Sequence, residues 1–320
     1  MNTKTTPSPI SAAGASTSPA RPHSSGALPA EGGDDASFIA GAAHTGDFSD
    51  YPLVAARDDE KTTIVDVRGV PLGAGVFQMI AGPCAVESKD QLFRIAEVAK
   101  RCGAKFLRGG AFKPRTSPYS FQGLGVEGLR ILEAAARQFD IRIVTEAKDC
   151  ETLAAVAEVA DVIQIGSRNM QNFSLLEAVG RLRKPVLLKR GMGAKLAELF
   201  MAAEYIVAQG NPNVILCERG IRTFETMTRN TFDIGAIAVM KHRTHLPVVA
   251  DPSHGIGIPW AVPAMARAAV VAGADAVMVE IHNDPPHALS DGQQALTLPE
   301  FEPLSRELTE LAQWMRRGAR

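Results

Sequence analysis

The stretch IRIVTEAKDCETLAAVAEVADVIQIGS, residues 141–167, decides the fold because one helical segment separates two short apolar runs. The runs at 141–147 and 161–167 are nearly continuous in apolar residues, which is typical of strands covered on both faces. Between them, residues 149–160 place apolar side chains at spacings of three and four, which predicts an amphipathic helix. Such a strand–helix–strand unit predicts parallel strands joined by a covering helix.

The same unit recurs along the chain. Eight short apolar runs lie between residues 76 and 282, and helical segments separate most of them. Eight such units fit a (β/α)8 TIM barrel, so we predict an α/β fold with the barrel spanning residues 62–320. The barrel is expected to begin with a short β-hairpin in which Gly69 and Gly73 lie at turns.

Residues 1–61 differ from the rest in being rich in Ser, Ala, Pro and Gly. A segment of this composition cannot bury enough apolar surface to offset its ordering entropy, which predicts a disordered low-complexity tail. A docking role is the alternative function of such a tail. The N-terminus also lacks the apolar core of a signal peptide.

Composition excludes several classes of function. The 320 residues carry a net charge of -1, so no overall bias favours nucleic acid or an anionic membrane as a partner. The four cysteines show no CxxC spacing, which favours a reducing cytoplasm. No apolar run approaches the roughly 20 residues needed to span a bilayer. We therefore expect a cytoplasmic protein without nucleic-acid or membrane partners.

In a (β/α)8 barrel the active site lies at the carboxyl ends of the strands. The eight predicted strand ends all carry polar, charged or thiol side chains: Cys84, Arg108, Glu146, Arg168, Lys189, Arg219, His254 and Glu280. A random distribution would scatter such groups over both ends of the barrel. The sequence therefore predicts one functional rim.

Four residues at this rim form a candidate metal site. Cys84, His254, Glu280 and Asp291 offer one thiol, one imidazole and two carboxylates, a ligand set that suits Mn, Fe, Co or Zn. Taken singly, Cys84 could be a small buried hydrophobe and Asp291 a turn or cap residue. A Cys84–His254 nucleophile pair is the competing function, and it leaves Glu280 and Asp291 unexplained.

Cations surround this candidate metal site. The loop after the second strand, AFKPRTSPYSFQGLG at residues 111–125, is too long for a simple turn. It presents Lys113, Pro114, Arg115, Thr116 and Ser117, and other strand ends add Arg168, Lys189 and Arg219. Because guanidinium groups bind carboxylate or phosphate in bidentate fashion, the cations predict small anionic substrates. Glu146 would balance a cation or act as an acid or base.

Six ordered segments carry a family resemblance. GPCAVES (82–88), KPRTSPYSFQGLG (113–125), IGSRNMQNF (165–173), LLKRGM (187–192), ADPSHGIG (250–257) and VEIHNDPPHALSDGQQ (279–294) follow successive strands. Together they resemble the 3-deoxy-D-arabino-heptulosonate 7-phosphate (DAHP) synthases, in particular the short type I-beta branch. The resemblance extends from about residue 64 to the C-terminus.

The resemblance implies condensation of phosphoenolpyruvate with D-erythrose 4-phosphate and release of phosphate, the first step of the shikimate pathway. It implies a divalent metal, Mn²⁺ first and Fe²⁺, Co²⁺ or Zn²⁺ as alternatives, and a homotetramer or homodimer. Catalytic roles would fall to Lys189, Glu146, Cys84 and His254. Substrate-binding roles would fall to Arg108, Lys113, Pro114, Arg115, Thr116, Ser117, Arg168, Lys189 and Arg219. The resemblance implies that Arg115, Arg168, Lys189 and Arg219 form the phosphoenolpyruvate site, with Glu146 nearby, and that residues 114–117 hold the erythrose phosphate.

The chain also departs from the family pattern. Many type I-beta members carry an N-terminal regulatory domain or a fused chorismate mutase, and neither pattern is present here. We therefore expect no strong inhibition by Phe, Tyr or Trp alone, and regulation by a chorismate mutase in trans stays open.

Two other functions compete with this one. The first is 3-deoxy-D-manno-octulosonate 8-phosphate synthase, which uses arabinose 5-phosphate. Its loop after the second strand resembles Lys-Ala-Asn-Arg-Ser rather than KPRTS, which favours the heptulosonate enzyme. The second is a catalytically silent barrel that acts as an interaction partner. The intact ligand and cation sets argue against it, because clustered cations repel one another.

Overall fold

The computed structural model describes residues 1, 50–56, 62–115 and 117–318. Most of the predicted tail at 1–61 lies outside the described residues, and its boundary stays a prediction. Residues 50–56 are described and lie against the barrel: the backbone N–H groups of Leu53 and Val54 donate to Glu204 at 3.0–3.1 Å. The hydroxyl of Thr244 donates to the Val54 carbonyl at 2.5 Å.

Within the described chain, eight parallel strands close into a barrel. They are β3 (Gln78–Gly82), β4 (Phe106–Arg108), β5 (Arg142–Glu146), β6 (Val162–Ile165), β7 (Val186–Lys189), β8 (Val214–Glu218), β9 (Val248–Ala250) and β10 (Ala276–His282). Each strand pairs in parallel with the next, and β10 pairs with both β3 and β9. This closure confirms the predicted (β/α)8 barrel.

Helices connect the strands and cover the outside of the barrel. They are α1 (Lys89–Arg101), α2 (Val126–Phe139), α3 (Cys150–Val159), α4 (Phe173–Arg181), α5 (Leu196–Ala208), α6 (Ile234–Arg243), α7 (Pro252–Ile256), α8 (Val262–Val271) and α9 (Leu298–Gly318). Single 3-10 turns lie at Ser167–Asn169, Pro259–Ala261, Pro285–His287 and Gly292–Gln294, and the short strand β11 (Leu296–Thr297) pairs with β10. Among the described helices, none is both long and apolar enough to cross a membrane.

Local chemistry explains where these elements begin and which face they bury. Helix α3 begins with a capping box, in which Asp149 accepts the Thr152 backbone N–H at 2.8 Å and Thr152 accepts the Asp149 N–H at 3.3 Å. Alternate strand residues face opposite ways. Phe106 therefore packs inside the barrel, whereas the adjacent Leu107 joins the core between strands and helices.

A hairpin closes the amino-terminal end of the barrel, as the sequence predicts. Strands β1 (Val65–Val67) and β2 (Val70–Leu72) pair in antiparallel register. Arg68 and Gly69 turn between them with φ of 49° and 82°, the positive values that a two-residue hairpin loop requires. The buried side chains of Val65, Val67 and Leu72 belong to the same apolar cluster as the barrel interior.

Candidate active site

The loops at the carboxyl ends of the strands enclose a cavity of about 310 Å³. The structure brings most of the predicted site residues to its wall: Arg108, Lys113, Pro114, Arg115, Ser117, Glu146, Arg168, Lys189, Arg219, His254 and Asp291. Thr116 lies outside the described residues. Six of the eight predicted rim residues therefore line the same cavity.

The four predicted metal ligands meet beside this cavity. Cys84, His254, Glu280 and Asp291 each contribute one ligand atom, and these atoms lie within 4.8 Å of one another. Cys84 Sγ is 3.2 Å from Asp291 Oδ2, and His254 Nε2 is 3.4 Å from Glu280 Oε1. One sulfur, one imidazole nitrogen and two carboxylate oxygens fit a divalent transition metal.

Backbone geometry delivers these groups to one place. Cys84 follows β3, where a Cβ on Gly82 would lie 1.9 Å from the carbonyl oxygen of Arg108; glycine therefore permits the close approach of β3 to β4. Asp291 adopts the left-handed conformation with φ of 52°, which Asp tolerates better than most residues. Glu280 is fully buried in β10, which continues two residues beyond it to His282.

Charged and polar neighbours satisfy the buried Glu280. It forms an ion pair with Arg108 and accepts from Gln294 Nε2 at 2.5 Å. Burial alone would raise the pKa of Glu280, but His254 and Arg108 outweigh it, so the pKa lies below its usual value. Burial would likewise raise the pKa of Asp291, yet His254 and Arg229 hold it at about 2. Both carboxylates are therefore charged and available to a cation.

The thiol and imidazole respond differently to the same environment. Burial, reinforced by the Glu280 carboxylate, raises the pKa of Cys84 to about 12, although Lys113 acts in the opposite direction. Burial also lowers the pKa of His254, against the effect of Asp251 and Glu280. A neutral imidazole suits metal binding because it leaves one ring nitrogen with a free lone pair.

Asp251 orients that imidazole, and the sequence analysis missed it. Its carboxylate accepts from His254 Nδ1 at 2.8 Å, which places the free lone pair on Nε2, facing the cluster. It also accepts from Lys189 Nζ at 2.5 Å. Burial would raise the pKa of Asp251, but His254 and Lys189 hold it well below its usual range. Its position directly after β9 was an available signal.

Several cations also line the cavity. Arg168 makes no hydrogen bond or ion pair with any described residue, and Arg219 Nη1 donates to the Gly220 carbonyl at 3.3 Å. Burial lowers the pKa of Arg219. Arg108 has a buried Nε–H without a partner among the described residues, which leaves a donor for an anion. Arg229, which was not predicted from the sequence, lines the cavity, and its Nη1 lies 3.6 Å from Asp291 Oδ1.

Glu146 is the predicted acid or base on the cavity wall. Its Oε2 accepts from Gln164 Nε2 at 2.9 Å. A Cβ on Gly166 would lie 2.1 Å from its Oε1, so the absence of a side chain at 166 makes room for the carboxylate. Both Gln164 and Gly166 line the cavity, and neither was predicted from the sequence.

Fold and site together define a (β/α)8 barrel protein with a candidate metal cluster beside a cation-lined cavity. Residues 59–316 match the model of the DAHP synthetase I family, and the chain belongs to this family. The resemblance drawn from the sequence motifs is thereby confirmed.

Relatives and solved structures agree with the family match. A phospho-2-dehydro-3-deoxyheptonate aldolase from Thermotoga maritima is 49% identical over 262 residues, covering 82% of this chain and 78% of the relative. A 2-dehydro-3-deoxyphosphooctonate aldolase from Acidithiobacillus ferrooxidans is 34% identical, covering 73% and 89%. The structure of a truncated form of 3-deoxy-D-arabino-heptulosonate 7-phosphate synthase from Thermotoga maritima superposes with a TM-score of 0.78 at 44% identity, covering 83% and 98%. The higher identity favours the heptonate enzymes over the octonate enzymes.

Proposed function

We propose that this chain is a 3-deoxy-7-phosphoheptulonate synthase that condenses phosphoenolpyruvate with D-erythrose 4-phosphate and releases phosphate, as the first step of the shikimate pathway. The observation that carries the proposal is the cluster of Cys84, His254, Glu280 and Asp291 directly beside a cavity lined with cations. Family membership and the 49% identical heptonate aldolase support it.

Cys84, His254, Glu280 and Asp291 would hold the divalent metal, which we propose is Mn²⁺, with Fe²⁺, Co²⁺ or Zn²⁺ as alternatives. Their mixed sulfur, nitrogen and oxygen atoms fit any of these ions. A metal bound here supplies Lewis-acid polarisation of a carbonyl oxygen.

The cations divide into two groups by position. Arg168, Lys189 and Arg219 lie at or just after the ends of β6, β7 and β8 and would bind the phosphate and carboxylate of phosphoenolpyruvate. The buried Arg108 and Lys113 add positive charge at the same cavity. The loop after β4 would hold the erythrose phosphate through Pro114, Arg115, Thr116 and Ser117. Fixed cations of this kind stabilise negative charge as it develops in the reaction.

The reaction forms a bond between C3 of phosphoenolpyruvate and the aldehyde carbon. Water then adds at C2, and the hemiketal phosphate breaks its C–O bond to release inorganic phosphate. Glu146 and Lys189 are the groups on the cavity wall to which we assign the proton transfers. Asp251 fixes the Lys189 ammonium in place, and Gln164 fixes the Glu146 carboxylate.

The test is phosphoenolpyruvate consumption by purified protein with Mn²⁺, comparing erythrose 4-phosphate with arabinose 5-phosphate, each with and without EDTA. We expect turnover with erythrose 4-phosphate alone, abolished by EDTA. Preference for arabinose 5-phosphate would replace the proposal with octulosonate synthesis. Absence of turnover with either aldose would favour a catalytically silent barrel.

We further propose a cytoplasmic homo-oligomer, either a tetramer or a dimer. The free thiols of the four described cysteines support a reducing compartment. Light scattering on the purified protein tests the assembly, and a monomeric mass would contradict it. Adding a chorismate mutase with an aromatic amino acid to the turnover assay tests regulation in trans.

A further inference from the structure

Ser290 joins two parts of the site that come from distant segments. It is 4% exposed and immediately precedes Asp291. Arg115 Nη1, on the loop after β4, lies 2.6 Å from its Oγ. Cys84 Sγ, in the segment after β3, lies 3.1 Å from the same oxygen. One buried hydroxyl therefore connects the arginine of the erythrose phosphate loop to the sulfur of the candidate metal cluster.

The chemistry of Arg115 fixes the direction of one of these hydrogen bonds: a guanidinium can only donate, so Ser290 Oγ accepts from Arg115. The hydroxyl keeps its own proton, which a metal-bound Cys84 sulfur would accept. Lys113 Nζ also donates to this sulfur at 3.0 Å. Both groups can donate to the sulfur, so they would support the thiolate that Cys84 forms when it binds a metal.

Other contacts hold the loop that carries Ser290. The Leu289 backbone N–H donates to Glu87 Oε1 at 2.8 Å, and Gln294 Nε2 donates to Glu280 Oε2 at 2.5 Å. These bonds lie on either side of Ser290 and do not use its hydroxyl. Removing the hydroxyl should therefore break the link without releasing the loop.

We propose that Ser290 is a positioning residue that couples the aldose phosphate subsite at Arg115 to the metal cluster at Cys84. With a metal bound at Cys84, the sulfur would hold the Ser290 hydroxyl, and the hydroxyl would hold the Arg115 guanidinium that binds the phosphate. Because coupling between two binding sites is reciprocal, the aldose phosphate must also tighten metal binding. The aldose part of this inference rests on the proposed function, whereas the Arg115–Ser290–Cys84 link does not.

The experiment compares Ser290→Ala with Ser305→Ala as the control. Ser305 is another buried serine, and its hydroxyl donates a hydrogen bond to the Cys102 carbonyl at 2.7 Å. We expect S290A to raise the KM for erythrose 4-phosphate about 10-fold, as for one lost charge-assisted hydrogen bond, and to leave the KM for phosphoenolpyruvate unchanged. S305A should change neither constant. Equal increases in both KM values for S290A would overturn the proposal.

Calorimetric titration with Mn²⁺ alone gives a readout that needs no turnover. We expect R115A and S290A each to weaken Mn²⁺ binding, and the double variant to weaken it no more than S290A, because both remove the same link. Unchanged Mn²⁺ affinity in R115A would overturn the proposal even if S290A failed to fold. A protein that binds Mn²⁺ with this coupling but does not consume erythrose 4-phosphate would refute the proposed function and retain the link.

Discussion

The two ends of the barrel differ sharply, although the same eight strands form both. At the carboxyl end, buried charges such as Arg108, Lys189 and Arg219 line a cavity. At the amino end, the hairpin inserts Val65 and Leu72 into an apolar cluster with the barrel interior. Burying a charged group destabilises the fold because the group loses its hydration, whereas burying apolar side chains stabilises the fold. The contrast indicates that one end serves chemistry and the other serves stability.

Carboxylates show the same contrast at closer range. At the amino end, Asp161 accepts the Ile143 backbone N–H at 2.8 Å, and Asp275 accepts that of Val248 at 2.8 Å. These acids tie strand backbones together. At the carboxyl end, Asp251 instead orients the side chains of His254 and Lys189. Variants at the two ends should therefore separate function from stability.

The largest expected effect is on the candidate metal site. Cys84→Ala should abolish Mn²⁺ retention and lower kcat by more than about 100-fold. Loss of a residue that only supports a metal ligand already lowers metal affinity or activity about 10–100-fold. The measurement pairs metal content with turnover. Cys217→Ala is the matched control, since Cys217 is buried in the interior apolar cluster and should retain the metal. A fully active C84A without metal would disprove the ligand assignment.

The next largest effect is expected on stability, at the amino end of the barrel. Leu72→Ala in the hairpin should lower the free energy of unfolding by about 2–5 kcal/mol, from lost burial and the cavity left behind, while kcat of the folded protein is kept. Denaturant unfolding and turnover measure the two quantities. Leu182→Ala, at a leucine 42% exposed, should change stability by less than about 1 kcal/mol. A large loss of kcat in L72A at unchanged stability would contradict the separation.

A sharper comparison exchanges one carboxylate at each end. Asp251→Asn should weaken Mn²⁺ binding about 10–100-fold, since an amide orients the His254 imidazole less strongly than a carboxylate. Asp161→Asn should lower stability and leave Mn²⁺ affinity unchanged. Calorimetric titration and thermal unfolding measure both variants. An equal loss of Mn²⁺ affinity in the two variants would contradict the assignment of function to the carboxyl end and stability to the amino end of the barrel.

The smallest expected effect concerns the room left for Glu146. Gly166→Ala should displace its carboxylate and lower kcat about 10-fold, because small misplacements of a catalytic group are costly. Gly193→Ala is the control: a Cβ there has no atom within 4 Å, so kcat should be unchanged. Steady-state kinetics measures kcat for both variants. Equal kcat values would show that a side chain at 166 does not disturb Glu146.

The barrel and the proximity of Cys84 to His254 could be predicted from the sequence, because the carboxyl ends of the strands lie at one rim for any conformation of the loops. The sequence did not predict Asp251 or Ser290. Ser290 reaches Cys84 across 206 residues of sequence, and the contact depends on the conformation of the loop after β10, where the next residue is left-handed. Loop conformation of this kind follows from tertiary packing, which residue patterns do not encode.

If the four side chains at the carboxyl end hold a metal, phosphoenolpyruvate condensation should depend on that metal. The most direct test titrates chelator-treated protein with Mn²⁺ while following phosphoenolpyruvate consumption with erythrose 4-phosphate. We expect no turnover before Mn²⁺ is added and a rise in turnover in proportion to bound Mn²⁺, with a plateau at about one ion per chain. Full turnover by the metal-free protein would contradict this dependence.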